Sequence, residues 1–176
     1  SSTGLDVRAH AFAPTAEVAD PSLTIEGAER RLDELLDAAV RTHLVADVPV
    51  CLTLSGGLDS TLLGMLLRQQ AGTGLVSYVV GDDPTHPDVV QAQRVARTLG
   101  FEHRTVWFDF PQYLAALPAS VLASETFEDG VAQFMLFREL GRDFRVCLNS
   151  DGADELFGGY PEHWFADRHV ARIREA

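Results

Sequence analysis

With 176 residues, 46% of them apolar and 23% charged, the sequence describes an ordinary globular domain with a sizeable core. A formal charge of −12 and fourteen scattered basic residues exclude the basic stripe of a nucleic-acid surface and suit magnesium better. No apolar run approaches the ~20 residues of a membrane span and no secretory or transit segment opens the chain, so a cytoplasmic protein without membrane or nucleic-acid partners is expected.

Residues 1–21 hold Ala, Pro, Ser and Thr without periodicity and read as an arm or linker remnant. From Thr24 to Leu44, Ile25, Ala28, Leu32, Leu35, Leu36, Ala39, Val40 and His43 recur at the helical period, which predicts an amphipathic helix with His43 at the core or its boundary. Pro49–Leu54 then reads as a strand, Leu58–Gln69 as a helix, Leu75–Val80 as a strand, and Pro87–Leu99 as a helix with proline in its first turn and Gly100 just past its end. His103–Phe108 reads as a strand, Pro111–Leu122 as a helix interrupted at Pro118, Val131–Leu140 as a helix closed by Gly141, and Arg145–Leu148 as a fourth strand. Strands alternating with helices predict an α/β domain with a parallel, doubly wound sheet, whose ligands bind beyond the carboxyl ends of the strands. Cys51 and Cys147 fall inside strand-like apolar runs and are expected to be free, buried thiols with no zinc pattern around them.

Two segments at predicted strand ends carry chemistry. The first is Ser55-Gly56-Gly57-Leu58-Asp59-Ser60, a glycine turn between a strand and a helix. Glycines let the backbone approach a ligand, and the unpaired N–H groups opening the helix favour an anion. The lysine of the ATPase P-loop is missing from it. The turn resembles instead the PP-loop of ATP pyrophosphatases, which cut ATP between its α and β phosphates. The second segment, Asn149-Ser150-Asp151-Gly152-Ala153-Asp154-Glu155-Leu156-Phe157-Gly158-Gly159-Tyr160, gathers three carboxylates after the fourth strand. Two acidic loops at one sheet edge can share magnesium, which accepts one or two protein carboxylates plus phosphate oxygens and keeps several waters. Asp59 and Asp154 are the expected pair.

Asp47-Val48-Pro49 leading into the glycine turn, followed by Asp151 to Tyr160, resembles the synthetase domain of the asparagine synthetase family over roughly residues 25–160. The family also includes β-lactam synthetases and lasso-peptide cyclases. The resemblance implies an adenine-nucleotide α-hydrolase-like fold over 22–160, with ATP and Mg²⁺ as cofactors. By position, Leu54, Ser55, Gly56, Gly57, Asp59, Ser60, Val80, Ser150 and Gly152 are implied around the nucleotide, Asp59 and Asp154 on the metal, and Asp151 and Tyr160 near the reacting centre. Glu125 matches a further acidic position of the family.

The implied activity is ATP-dependent amide formation, in which a small-molecule or peptide carboxylate is adenylated with release of pyrophosphate and then taken by an amine or ammonia. The family usually reads Ser-Gly where this chain has Asn149-Ser150. Its members commonly begin with a nucleophilic cysteine in a glutaminase domain, where this sequence has Ser1, and they continue into a helical region carrying a lysine, a residue this sequence lacks throughout. A further C-terminal region or second polypeptide supplying lysine is therefore expected, with residues 161–176, where Trp164, Phe165, Val170 and Ile173 are helically spaced, forming a helix against it. Two other expectations stand beside this one: a nucleotide-binding or assembly module without chemistry, and a PP-loop enzyme acting on nucleotides or tRNA, which the acidic surface disfavours.

Overall fold

The computed structural model describes residues 22–125 and 130–161. The predicted arm and the predicted helix beyond Tyr160 lie outside the described residues, apart from Pro161 at the helix start. Two compact units divide the chain, Ser1–Glu34 and Leu35–Ala176. Within the described part of the first, the Gly27 N–H donates to Thr24 Oγ1 at 3.1 Å, and Arg31 pairs with Glu34 at 3.1 Å on an exposed face.

The first helix, α1, runs Ile25–His43. In the second unit its Val40 is buried, whereas Leu35 of the predicted stripe is half exposed. His43 departs from expectation: it is exposed, and its Nδ1 lies 2.8 Å from the Ala39 carbonyl oxygen. A histidine in the last turn of a helix can satisfy a carbonyl there and needs no core to hold it.

The remaining elements are β1 (Val50–Thr53), α2 (Leu58–Ala71), β2 (Val76–Gly81), α3 (Pro87–Leu99), β3 (Glu102–Trp107), α4 (Phe110–Ser124), α5 (Val131–Leu140), β4 (Val146–Leu148) and α6 (Ala153–Phe157). All strand pairs are parallel, in the order β3-β2-β1-β4. Each strand sends alternate side chains to opposite faces. On one face Leu52, Leu54, Leu67, Leu75, Val95, Ala96 and Phe101 pack with Val40; on the other Cys51 and Tyr78 pack with Leu136 and Leu140 of α5. The predicted doubly wound sheet is the observed fold.

Two local departures have physical reasons. The α4 helix continues through Pro118. Pro118 lies on the exposed face, where the carbonyl that loses its donor can bond to water, while Ala116 and Ser120 are buried beside it. The start of α4 is fixed by a capping box in which Asp109 Oδ1 accepts from the Gln112 N–H at 2.7 Å and Gln112 Oε1 from the Asp109 N–H at 2.9 Å. After β4, part of the expected acidic loop winds into the one-turn helix α6. The two cysteines are free, Cys51 buried as expected but Cys147 only half-buried, and they face each other in register across β1 and β4. Donation from Cys51 to Cys147 holds the Cys51 thiol up and draws the Cys147 thiol down.

Candidate functional site

The chain passes from β1 through β2 to β3 on one side and returns to lay β4 on the other side of β1. That reversal is a topological switch point, where open α/β sheets leave a crevice beyond the strand ends. The register pairs Leu52 with Leu148. The glycine turn and the acidic segment thus leave adjacent strand ends, which lie ~5 Å apart in any sheet.

In the glycine turn, Leu54 is wholly buried and its N–H donates to the Tyr78 carbonyl at 2.8 Å. Its side chain belongs to the core and only its backbone can meet a ligand. Gly56 has φ +79°, and a Cβ there would come within 2.7 Å of the Ala92 amide nitrogen. Both the conformation and the close approach of α3 require glycine. Gly57 precedes α2 with no side-chain cap, so N–H groups of the first turn stay open beside it. Ser60 is 4% exposed; its hydroxyl lies 3.0 Å from Ser55 Oγ and donates to the Gly57 carbonyl at 3.4 Å. Ser60 pins the turn from within, while Ser55 is exposed.

On the neighbouring strand end, Asp151 Oδ2 accepts from Asn149 Nδ2 at 2.8 Å and from Gln133 Nε2 at 3.4 Å. Gly152 has φ +93° and nothing within 4 Å of where a Cβ would stand, so the backbone there is open. The Ser150 carbonyl accepts from the Ala153 N–H at 3.2 Å. Asp154 opens α6, and its carboxylate lies against Gly159, where any Cβ would overlap it. The Tyr160 hydroxyl donates to Glu155 Oε1 at 3.0 Å, and this donation to a carboxylate raises the phenol above its ordinary value.

The structure brings Ser55, Gly56, Gly57, Asp59 and Ser60 together in one turn, and Ser150, Asp151, Gly152, Asp154 and Tyr160 in the other. Val80, near the carboxyl end of β2, packs against the Cys51 and Tyr78 cluster. Glu125 closes α4 with φ +56°, the one described non-glycine residue with positive φ. Among the described residues no group of three or more His, Cys, Asp or Glu side chains could hold a metal. The fit to magnesium rests on two carboxylates: Asp59 and Asp154 come from adjacent loops, and no ion pair engages either among the described residues. Carboxylates are the hard oxygen donors this ion takes.

Gln133 was not legible as a site residue, because it stands 18 residues from Asp151 at the start of another helix. Asn149 was visible only as a departure from the family's serine. Two depressions lie away from these loops along β3. One of about 340 Å³ is lined by Tyr78, Arg104, Trp107, Glu139 and Asp143, and one of about 230 Å³ by Gln93, Arg97, Phe101, His103 and Thr105. In the first, Arg104 is held by Glu102 at 2.8 Å, Asp143 at 2.7 Å and the Tyr78 hydroxyl at 2.9 Å.

A parallel sheet in this order, with the glycine turn at its switch point, defines an α/β fold of the adenine-nucleotide α-hydrolase-like, PP-loop type. The solved NH3-dependent NAD synthetase of Campylobacter jejuni shares this fold, with a TM-score of 0.51 at 18% identity over 74% of this chain and 60% of that one. The chain belongs to the asparagine synthase family, whose sequence profile matches residues 31–175. It is 30% identical over 163 residues to the glutamine-hydrolysing asparagine synthetase of Mesocricetus auratus, covering 86% of this chain and 29% of that protein. To asparagine synthetase B of Escherichia coli K12 it is 29% identical over 151 residues, covering 75% of this chain and 27% of that protein. The chain thus spans under a third of the length of these relatives.

Proposed function

We propose that this chain forms the nucleotide-binding part of an ATP-dependent carbon–nitrogen ligase that releases AMP and pyrophosphate. The observation that carries the reading is the register of β1 against β4, which sets the PP-loop and the acidic loop side by side at the switch point. Membership in the asparagine synthase family supports it.

In this reading a substrate carboxylate oxygen attacks the α-phosphorus of ATP, the bond to the bridging oxygen of the β-phosphate breaks, and an acyl-adenylate and pyrophosphate result. An amine or ammonia then attacks the acyl carbon, its extra proton leaves to a base, and AMP departs. A free carboxylate is a poor electrophile, and AMP is a far better leaving group than oxide. The N–H groups at the start of α2, with the Ser55 hydroxyl, hold the departing pyrophosphate, and Ser60 keeps that turn in shape. Asp59 and Asp154 hold Mg²⁺, which neutralises phosphate charge when bound. Val80 and the backbones of Leu54, Ser150 and Gly152 line the nucleotide, while Asp151 and Tyr160 face the reacting acyl group, Asp151 as the proton acceptor. Charge at the adenylation step calls for a cation, and with no lysine in this chain a further region or a partner chain supplies it. The carboxylate is a small molecule or a peptide, and the reaction is cytoplasmic.

Exchange of labelled pyrophosphate into ATP by the full-length protein, with L-aspartate as the first carboxylate tried and peptide carboxylates next, tests the reading. Carboxylate-dependent exchange is expected, falling on the order of 10²-fold or more in Asp59→Asn and in Asp154→Asn. Exchange that survives both substitutions refutes the metal assignment. Mg-ATP binding without exchange by any carboxylate favours instead a nucleotide-binding module without chemistry.

A further inference from the structure

The place where this chain departs from its family's motif is also the place where its acidic loop is braced. Asn149 stands where the family usually has serine, and its Nδ2 lies 2.8 Å from Asp151 Oδ2. The same oxygen receives Gln133 Nε2 at 3.4 Å from the first turn of α5. Both donors reach one oxygen, and among the described residues Asp151 Oδ1 accepts no hydrogen bond from either. Asp151 is exposed and follows Ser150 in a turn, so without these donors its side chain would sample several rotamers. A serine hydroxyl at position 149, one atom beyond Cβ, is shorter in reach than the Asn amide and offers one donor in place of two.

We propose that Asn149 is a positioning residue, assisted by Gln133, that clamps Oδ2 of Asp151 and leaves Oδ1 turned to the reacting centre as the proton acceptor. The inference rests on the ligase reading, because it assigns Asp151 a partner in that reaction. Hydrogen bonds to one oxygen of a carboxylate fix the plane of the other, and a general base must hold such geometry to work. Bracing from two elements, the segment after β4 and the start of α5, also ties the acidic loop to the helix layer.

The test uses the full-length protein and the variants Asn149→Asp, Asn149→Ser and Gln133→Ala. The first keeps the volume of Asn149 and replaces the donor by an oxygen that repels Asp151, so a packing role tolerates it and a positioning role does not. Crystal structures of the parent are expected to show Asn149 on Asp151, and those of Asn149→Asp to show the Asp151 carboxylate rotated away. In amide formation from L-aspartate, or the best carboxylate found, and ammonia, kcat is expected to fall tenfold to on the order of 10²-fold in Asn149→Asp, while pyrophosphate exchange, which hands no proton to Asp151, stays within about twofold. The KM for ATP should stay within about twofold, since the proposal leaves nucleotide contacts intact. Asn149→Ser should fall between parent and Asn149→Asp, and Gln133→Ala should lose least, in line with its longer contact. An active parent whose amide formation and Asp151 orientation are unchanged in Asn149→Asp overturns the positioning role alone. A parent that exchanges no pyrophosphate with any carboxylate overturns the ligase reading, and the catalytic consequence of the clamp falls with it.

Discussion

Single residues in this fold carry commitments that composition does not show. His103 on β3 is one. Ser77, wholly buried on β2, donates to the Glu102 carbonyl at 3.1 Å, so the remaining contact, 2.9 Å to His103 Nδ1, has the imidazole as donor. That leaves Nε2 as an unprotonated acceptor, buried and without a partner. Burial holds the imidazole below its ordinary value of 6.5. The sign follows from linkage. As pH falls through 6.5 the unfolded chain takes up a proton that the folded chain refuses, so stability drops with acidification below that point and is fully present above it. Denaturant midpoints measured between pH 7.5 and 5 should fall in the parent and fall less in His103→Gln. Equal slopes in the two would show that His103 is not the group responsible.

At the scale of elements, the glycine turn works because a helix presses on it from behind. Gly56 needs both its left-handed backbone and the space that the amide of Ala92 on α3 nearly fills. Gly56→Ala would meet the cost of the backbone conformation, about 1 kcal/mol, and that of overpacking, about 1–3 kcal/mol. Chemical denaturation should register a loss of that size, and Mg-ATP affinity should fall with it as α3 or the turn shifts. A variant as stable as the parent would mean that α3 yields freely and that the turn is not held by it. Most of this architecture was legible beforehand. Four apolar runs alternating with helical periods gave the strands and helices within a residue or two, because each element buries a face against the sheet and its pattern records that burial. Pro118 misled, since a proline on the exposed side of a helix costs one hydrogen bond that water can replace. In the acidic segment, glycines at both ends concealed a single helical turn between them. The bracing of Asp151 by Gln133 was not legible, since a contact between separate elements leaves no local pattern.

The whole molecule is a device for bringing together two short segments far apart in sequence, and its stability must register whatever bridges them. Asp59 follows β1 and Asp154 follows β4, and the parallel pairing of those strands sets the two loops at adjacent strand ends. In the unfolded chain they are separate weak ligands, so on the proposed reading Mg-ATP would bind the folded state alone. Ligand at a hundredfold excess over its dissociation constant should then stabilise the fold by about 2.7 kcal/mol, seen as a rise in thermal midpoint that EDTA removes. If both carboxylates hold one ion, they act as a unit, and the loss of the magnesium-dependent rise in Asp59→Asn, Asp154→Asn and the double variant should be the same within about 0.5 kcal/mol. Two independent sites would give losses that add in the double variant, and the shared ion would be refuted. The comparison of single and double variants therefore reads the adjacency of the loops directly, and it does so even before a carboxylate substrate is known.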